Sequence, residues 1–325
     1  MDKSITPAIS VIISSQNRSA LLGQTLQSIR AMPAISEPWE LIVVDNDSTD
    51  DTAEVLAKYA DTLPLTVIFE HQHGTSRAKN RALDAAKGEL IVFTDDDVVV
   101  EPDWLSALVE AAYRWPEVGI FGGRIKPVLP DTLPRWLKHQ PTLQDRVARN
   151  FAYYFPQNHE GPTRNPPLGP NTLIRRSTLA AERFDESRGP DGTADYVQSS
   201  DTDLIQRLMS QGAQIVFVPS ASLDHIVRPE QITLEGMNAR AYRRGRKNAL
   251  TDPTRHAGYS VAGATPRLWW WWMTAWCRCA VIRLVSQGAK RLDAEDRLAF
   301  RRGFLDKRRE SSKAHNRDNM CRPTS

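Results

Sequence analysis

The chain has 325 residues, 41% of them hydrophobic and 25% charged, a balance that excludes a wholly disordered, collagen-like or multi-span membrane protein. Forty-two Lys and Arg against 39 Asp and Glu leave a formal charge of only +3, too little to make the chain as a whole a nucleic-acid binder, and no nucleic-acid partner is expected. The length allows two domains or one large α/β domain with appendages.

The N-terminus enters the apolar run Ile9–Ile13 without the apolar core of a signal peptide, which predicts a cytoplasmic protein. Further runs at Leu41–Val44, Leu65–Phe69 and Leu90–Phe93 are continuous rather than alternating, as in strands covered on both faces. Helical patterns fill the gaps. Ser19 is expected to cap a helix carrying Leu22, Leu26 and Ile29, and Asp50 or Asp51 one carrying Val55 and Tyr59,. A third helix is expected over 75–87, with Gly88 as its left-handed C-terminal cap,. This alternation predicts an α/β fold with a mostly parallel sheet flanked by helices.

A helix is expected over 104–114 and a strand over 118–121, ending at Gly122-Gly123. Nine prolines between Lys126 and Pro170 then predict a loop-rich insertion,. Its aromatics Phe151, Tyr153, Tyr154 and Phe155 predict packing over the sheet or along a cleft,. Regular structure resumes with a helix over 203–210 stopped by Gly212, a strand over 215–218 and a helix over 233–250.

Open parallel sheets bind ligands beyond the carboxyl ends of their strands. Here those positions carry Ser14, Ser15, Asn17 and Arg18 after the first run, Asp45-Asn46-Asp47-Ser48 after the second, and Asp95-Asp96-Asp97 after the fourth. Three adjacent carboxylates repel unless a cation or a helix N-terminus neutralises them. A divalent ion such as Mg²⁺ or Mn²⁺, completed by water and phosphate oxygens, suits such hard ligands; a solvated acidic turn is the alternative.

Taken in order, these segments resemble the family 2 glycosyltransferases of GT-A fold, across roughly Pro7 to Leu250. The runs ending in Ser-Ser-Gln-Asn-Arg and Asp-Asn-Asp-Ser-Thr-Asp look like the family's nucleotide loops, and Thr94-Asp95-Asp96-Asp97 resembles its D-x-D motif. Gly74-Thr75-Ser76-Arg77-Ala78-Lys79-Asn80 resembles its Ala-Arg-Asn helix start, with Lys79 in place of Arg. Gly169-Pro170-Asn171 and Ser199-Ser200-Asp201-Thr202-Asp203 resemble the acceptor-side Gly-x-Asn and Glu-Asp motifs, with Ser200 where Glu is usual.

The resemblance implies a GT-A, Rossmann-like sheet with a Pro-rich insertion and a C-terminal helical extension. It implies a nucleoside diphosphate sugar donor, a glycan or lipid-linked acceptor, and Mg²⁺ or Mn²⁺ as cofactor. Asp45 would accept hydrogen bonds from the base, with Ser15, Asn17, Arg18, Asn80, Asp95 and Asp96 also at the nucleotide sugar. Asp95 and Asp97 would hold the metal, and His225 stands where some of these transferases supply a further ligand. Asp201 would be the general base of an inverting displacement. For Asp45 and Asp201 the alternative is helix capping, and Asp203 reads as structural. A sugar-phosphate nucleotidyltransferase and a non-catalytic nucleotide-sugar-binding scaffold are the competing functions.

The domain division expected from these motifs is a catalytic domain over 1–250, with its nucleotide-sugar half at 1–123 and its acceptor half at 124–250, followed by an extension over 251–325. Residues 268–277 hold five of the nine tryptophans, and residues 283–325 carry twelve Lys and Arg against six Asp and Glu. The uncharged run is too short to span a bilayer. Contact of 267–325 with an anionic membrane surface is expected instead, peripheral on the inner face of the cell membrane, with packing on protein as the alternative. Arg240, Arg243, Arg244, Arg246 and Lys247 read as a solvated face or as phosphate contacts. Cys277, Cys279 and Cys321 imply no disulfide framework or zinc site,.

Overall fold

The first apolar run forms β1 (Ile9–Ser15) in the computed structural model, which describes residues 7–191, 193, 196–198, 200–251, 264–285 and 289–320. Ser199 and Cys321 fall outside the described residues. Then follow α1 (Ser19–Arg30), β2 (Trp39–Asp45), α2 (Thr52–Tyr59), β3 (Leu65–Phe69), α3 (Thr75–Ala85) and β4 (Leu90–Phe93). Next come β5 (Val98–Val100), α4 (Trp104–Arg114), β6 (Ile120–Val128), α5 (Pro141–Ala148), β7 (Gly161–Thr163), β8 (Thr172–Arg175) and α6 (Arg176–Leu179). The remainder comprises α7 (Ser200–Ser210), β9 (Ile215–Ile226), α8 (Leu234–Thr251), α9 (Pro266–Val285) and α10 (Ala289–Met320).

One sheet holds all nine strands in the order β3-β2-β1-β4-β8-β6-β9-β5, with β7 paired to β9. The β3-β2-β1-β4 half is parallel throughout, the consequence of helical crossovers between successive strands. Antiparallel β8 joins β4 to β6, and β6 pairs parallel with β9 through a register shift at Gly123/Arg124. β1, β2 and β4 are buried on both faces, as continuous apolar runs require,. β3 departs from that expectation: it is an edge strand, and Val67 and Phe69 are exposed.

Two further expectations are corrected. Ser19 does not cap α1 through its hydroxyl; its backbone N–H donates to Asp50 Oδ2 at 2.9 Å. The other Asp50 oxygen accepts the N–H of Thr52 at the start of α2, so one carboxylate serves two helix starts,. Gly88 does not take the left-handed conformation. A Cβ there would lie 2.5 Å from the backbone nitrogen of Ser10, so glycine is required by the close approach to β1. Gly212 stops α7 as expected, and it does so in left-handed backbone (φ 98°),.

The described residues form two compact units. The first, Met1–Pro130, Arg146–Gly192 and Ser199–Val227, contains the sheet. In the insertion, Tyr154 and Phe155 pack edge-on against Phe217 of β9, and Tyr154 bridges to Ile125 through backbone bonds. The expected packing over the sheet is thus observed.

The second unit is Asp131–Asp145, Thr193–Gln198 and Arg228–Ser325, so α8, expected in the catalytic domain, belongs with α9 and α10. Gly245 of α8 and Gly303 of α10 allow the closeness: a Cβ on either would run into backbone of the facing helix. Arg244 binds both oxygens of Asp296, and Arg246 both of Glu310. These arginines of α8 are therefore ion-paired across the helices and are not a solvated face. The tryptophan run divides between two environments. Trp271 stacks edge-on against Phe300 and Phe304 while Trp270 and Trp276 are exposed. Among the described residues no helix is long and apolar enough to cross a membrane.

Candidate active site

Parallel registry sets Ser15 beside Asp45 at the carboxyl ends of β1 and β2, and β4 delivers Thr94 to Asp97 next to them. Asp45 is buried, and one of its carboxylate oxygens accepts the N–H of Ser48 at 3.0 Å, closing a turn that keeps the acid at the strand end,. Asn46 is buried as well. It donates to the carbonyls of Glu70 and Gln72 and accepts the N–H of Gly74, tying β2 to the entrance of α3.

Asn17 (φ 51°) and Asp47 (φ 61°) both take left-handed backbone, which Asn and Asp tolerate better than other non-glycine residues. The Asn17 side chain accepts the N–H of Thr49, and its backbone N–H donates to Ser48 Oγ. Asn17 therefore joins the two loops expected to hold the nucleotide.

Asp96 is the buried centre of the triple-aspartate turn. Ser15 Oγ donates to one oxygen at 2.7 Å and Arg18 Nη1 to the other at 2.7 Å, with Asp97 3.3 Å from the same guanidinium. Burial pushes the Asp96 carboxyl up, and Arg18 pulls it back. Burial opposes the charge on Arg18 too, yet Asp96 and Asp97 outweigh it and raise that pKa. Ser15, Arg18 and Asp96, all expected at the nucleotide sugar, thus hold one another. The like charges of the turn are partly neutralised by a cation of the chain itself.

Asp95 faces a different cation. Lys79 is 1% exposed on the inner side of α3 and places its ammonium 2.7 Å from Asp201 Oδ1 and 3.6 Å from Asp95 Oδ1. Its charge resists burial because Asp201 and Asp95 raise its pKa, and the Phe184 ring lies 5.6 Å from Nζ,. Sequence reasoning noted Lys79 only as a replacement for arginine. A signal was nevertheless present, since the residue stands among Ala78, Ala82 and Leu83 on the buried stripe of an otherwise amphipathic helix,.

Asp201 sits in the first turn of α7. Gly169 abuts it: a Cβ there would lie 2.5 Å from Asp201 Cγ. Asn171 accepts from Trp104 Nε1 and donates to the carbonyls of Arg124 and Ala221, so it braces the strands behind. Asp203, which reads as structural in sequence, pairs with Arg188 and Arg207. Asn80, expected at the nucleotide sugar, is anchored on its other side. Its amide donates to the Phe184 carbonyl and to Glu186 and accepts the Phe184 N–H, which commits it to the loop before α7.

His225 arrives through strand pairing. β5 runs antiparallel to β9 with Val98 opposite His225, and Ile226 N–H donates to the Asp97 carbonyl. His225 Nε2 is 3.4 Å from Asp97 Oδ1, both side chains nearly buried. Among the described residues no three His, Cys, Asp or Glu side chains are grouped as a complete metal cage. The Asp97 carboxylate nevertheless fits Mg²⁺ or Mn²⁺, which take few protein ligands and complete their shells with water and phosphate, and an imidazole beside it suits Mn²⁺ better than Mg²⁺.

A family model described as glycosyl transferase family 2 matches residues 10–182. Over 229 residues the chain is 27% identical to the succinoglycan biosynthesis protein ExoM of Rhizobium meliloti (strain 1021), covering 69% of each chain. The mannosyltransferase PcManGT from Pyrobaculum calidifontis, solved with GDP-Man and Mn²⁺, superposes with a TM-score of 0.53 at 20% identity, over 99% of this chain and 89% of that one. S. aureus TarS 1-349 with UDP-GlcNAc gives 0.52 at 18% identity, over 95% and 92%. At these identities the two structures speak for the fold.

Proposed function

The chain belongs to glycosyl transferase family 2, and we propose that it is a metal-dependent, inverting glycosyltransferase acting from a nucleoside diphosphate sugar onto a polysaccharide or lipid-linked glycan. The reading is carried by Lys79, whose buried ammonium holds Asp201 and Asp95 beside the carboxyl ends of β1, β2 and β4. A candidate base and a candidate donor ligand thereby share one anchor.

In this reading Asp45 receives the base and the Asn17 and Ser48 loops flank it. Asp201 accepts the proton of the acceptor hydroxyl as that oxygen attacks the anomeric carbon, a task for which a carboxylate in hydrogen-bond reach suffices. One base facing one leaving group gives a single displacement and inversion. A divalent ion held by Asp97 and His225, with Asp95 on its donor side, would supply charge neutralisation for the departing diphosphate. Arg18 stays with Asp96 and keeps the turn in place.

Kinship to a protein named for succinoglycan biosynthesis supports a polysaccharide as acceptor. The exposed stripe Trp270, Met273, Val281 and Leu284 of α9 supports docking on an anionic membrane surface, because Arg267 and Arg278 flank it,.

Calorimetric titration of UDP-, GDP- and dTDP-sugars into the protein, with Mn²⁺, with Mg²⁺ and with EDTA, tests the proposal. Saturable binding of one donor that EDTA weakens is expected. Binding indifferent to EDTA would remove the metal from the reading. Donor binding without turnover in the presence of any glycan acceptor would favour a scaffold.

A further inference from the structure

The helical unit contains a groove of about 1100 Å³ between α8, α9 and α10, lined by none of the candidate active-site residues. Such a volume is at the upper end of small-molecule sites and suits a chain of several units. Its wall carries Trp272 and Trp276 one turn apart on α9, and Asn238 and Tyr242 one turn apart on α8. Indole rings on one helix thus share the groove with an amide and a hydroxyl on another.

Charge narrows the ligand. Four arginines and four carboxylates line the groove, and several are paired with each other, as Arg283 is with Glu295 at 3.2 Å and Arg302 with Asp306 at 3.7 Å. A balanced, internally paired set offers little to a polyanion or a phosphate headgroup, but leaves donors and acceptors of both kinds for neutral hydroxyls. Three buried polar atoms in the wall, Trp272 Nε1, Arg243 Nε and Asn238 Oδ1, have no hydrogen-bond partner among the described residues, and buried polar groups ordinarily find one.

We infer that this groove is a binding site for an uncharged hexose-based glycan. Pyranose rings present an apolar C–H face and an equatorial rim of hydroxyls. Trp276, half exposed at the groove, takes the face,, while Asn238, Arg243 and the carboxylates take the rim. Holding the glycan there raises its effective concentration around the enzyme without taking part in the chemistry. That last step rests on the proposed transferase function; the binding itself does not.

The test is calorimetric titration of the full chain with four neutral hexasaccharides, built of α-glucose, β-glucose, mannose or galactose, alongside phosphatidylglycerol vesicles. Saturable binding of at least one hexasaccharide is expected. Trp276→Ala, at an exposed position where the fold is safe, weakens it about tenfold, as loss of one aromatic anchor does. Trp276→Phe retains most of it, and donor binding is unchanged in both variants. No saturable binding of any hexasaccharide by folded protein overturns the inference, as does binding that Trp276→Ala leaves intact. Vesicle binding that depends on Trp276 while saccharide binding does not would also overturn it, in favour of a lipid surface. Failure of the transferase reading would appear separately, as absence of donor binding.

Discussion

The ammonium of Lys79 donates a hydrogen bond to Asp201 Oδ1 at 2.7 Å across 122 residues of sequence. Its raised pKa keeps it charged at any working pH, so the stability it contributes is present below its ordinary value of 10.5 and stays until the pH rises through the higher folded value,. Replacing it by methionine keeps the buried stem and removes the charge. Lys79→Met is expected to lose activity by about 10² or more, and about 1–3 kcal/mol of stability because Asp201 is partly solvated. Lys79→Arg should recover part of both. Steady-state rates and denaturant midpoints of the three proteins check this, and full activity in Lys79→Met would remove Lys79 from the site.

Asp201→Asn preserves shape and removes the proposed base. Turnover is expected to fall by at least about 10²-fold while donor affinity changes less than threefold. Parallel calorimetry and rate measurement separate the two, and unchanged turnover would leave Asp201 a structural partner of Lys79.

Gly169 tests the same carboxylate by crowding. Its backbone is not in the left-handed region, so alanine adds no backbone strain, but the new methyl would lie 2.5 Å from Asp201 Cγ. The carboxylate must rotate away. Gly169→Ala is expected to keep its thermal midpoint within a few degrees and to lose about 10²-fold in kcat, the size expected from an ångström-scale displacement.

For the metal, His225→Ala and Asp97→Asn are each expected to raise the Mn²⁺ concentration giving half-maximal activity by about 10–100-fold. Activity titrations of Mn²⁺ at fixed donor check it. An unaltered Mn²⁺ requirement in both variants would count against this pair as ligands.

Away from the site, Glu160 accepts from Arg114 Nη2 at 2.7 Å and from Trp115 Nε1 at 3.0 Å. Arg114 holds the Glu160 carboxyl below its ordinary 4.5, with burial opposing. A lowered folded pKa contributes stability above 4.5 that fades as the pH falls through the folded value. With Arg114 half exposed and screened, Glu160→Gln is expected to cost only about 0.5–1 kcal/mol at pH 7. Urea midpoints at pH 7 and pH 3 should show that difference shrinking in acid.

Much of the catalytic unit was legible because its signals are local. β1, β2 and β4 announce themselves as apolar runs, and each hands its next polar residues to one sheet edge by the geometry of β-α-β crossovers. The acids at Asp45 and Asp95–Asp97 follow from that alone. The exposed edge β3 was misread because a run of Leu, Val, Ile and Phe carries no mark of its place in the strand order. Gly88 was misread because a glycine required by close backbone approach and one required by left-handed backbone look the same in sequence.

What the sequence by itself determined is the β-α alternation, the carboxylate-bearing strand ends and the motif series from the first loop to Asp201, all properties of short windows. What only the tertiary structure decided is which charge meets which. Lys79 reaches both Asp95 and Asp201, Arg18 closes on Asp96, and Asn80 turns to Phe184. His225 comes to Asp97 through the β5–β9 register, and the tryptophans of α9 divide between a packed face and an open one. Each of these depends on a pairing between distant segments, fixed by burial and strand register over the whole unit, for which no local periodicity carries a record.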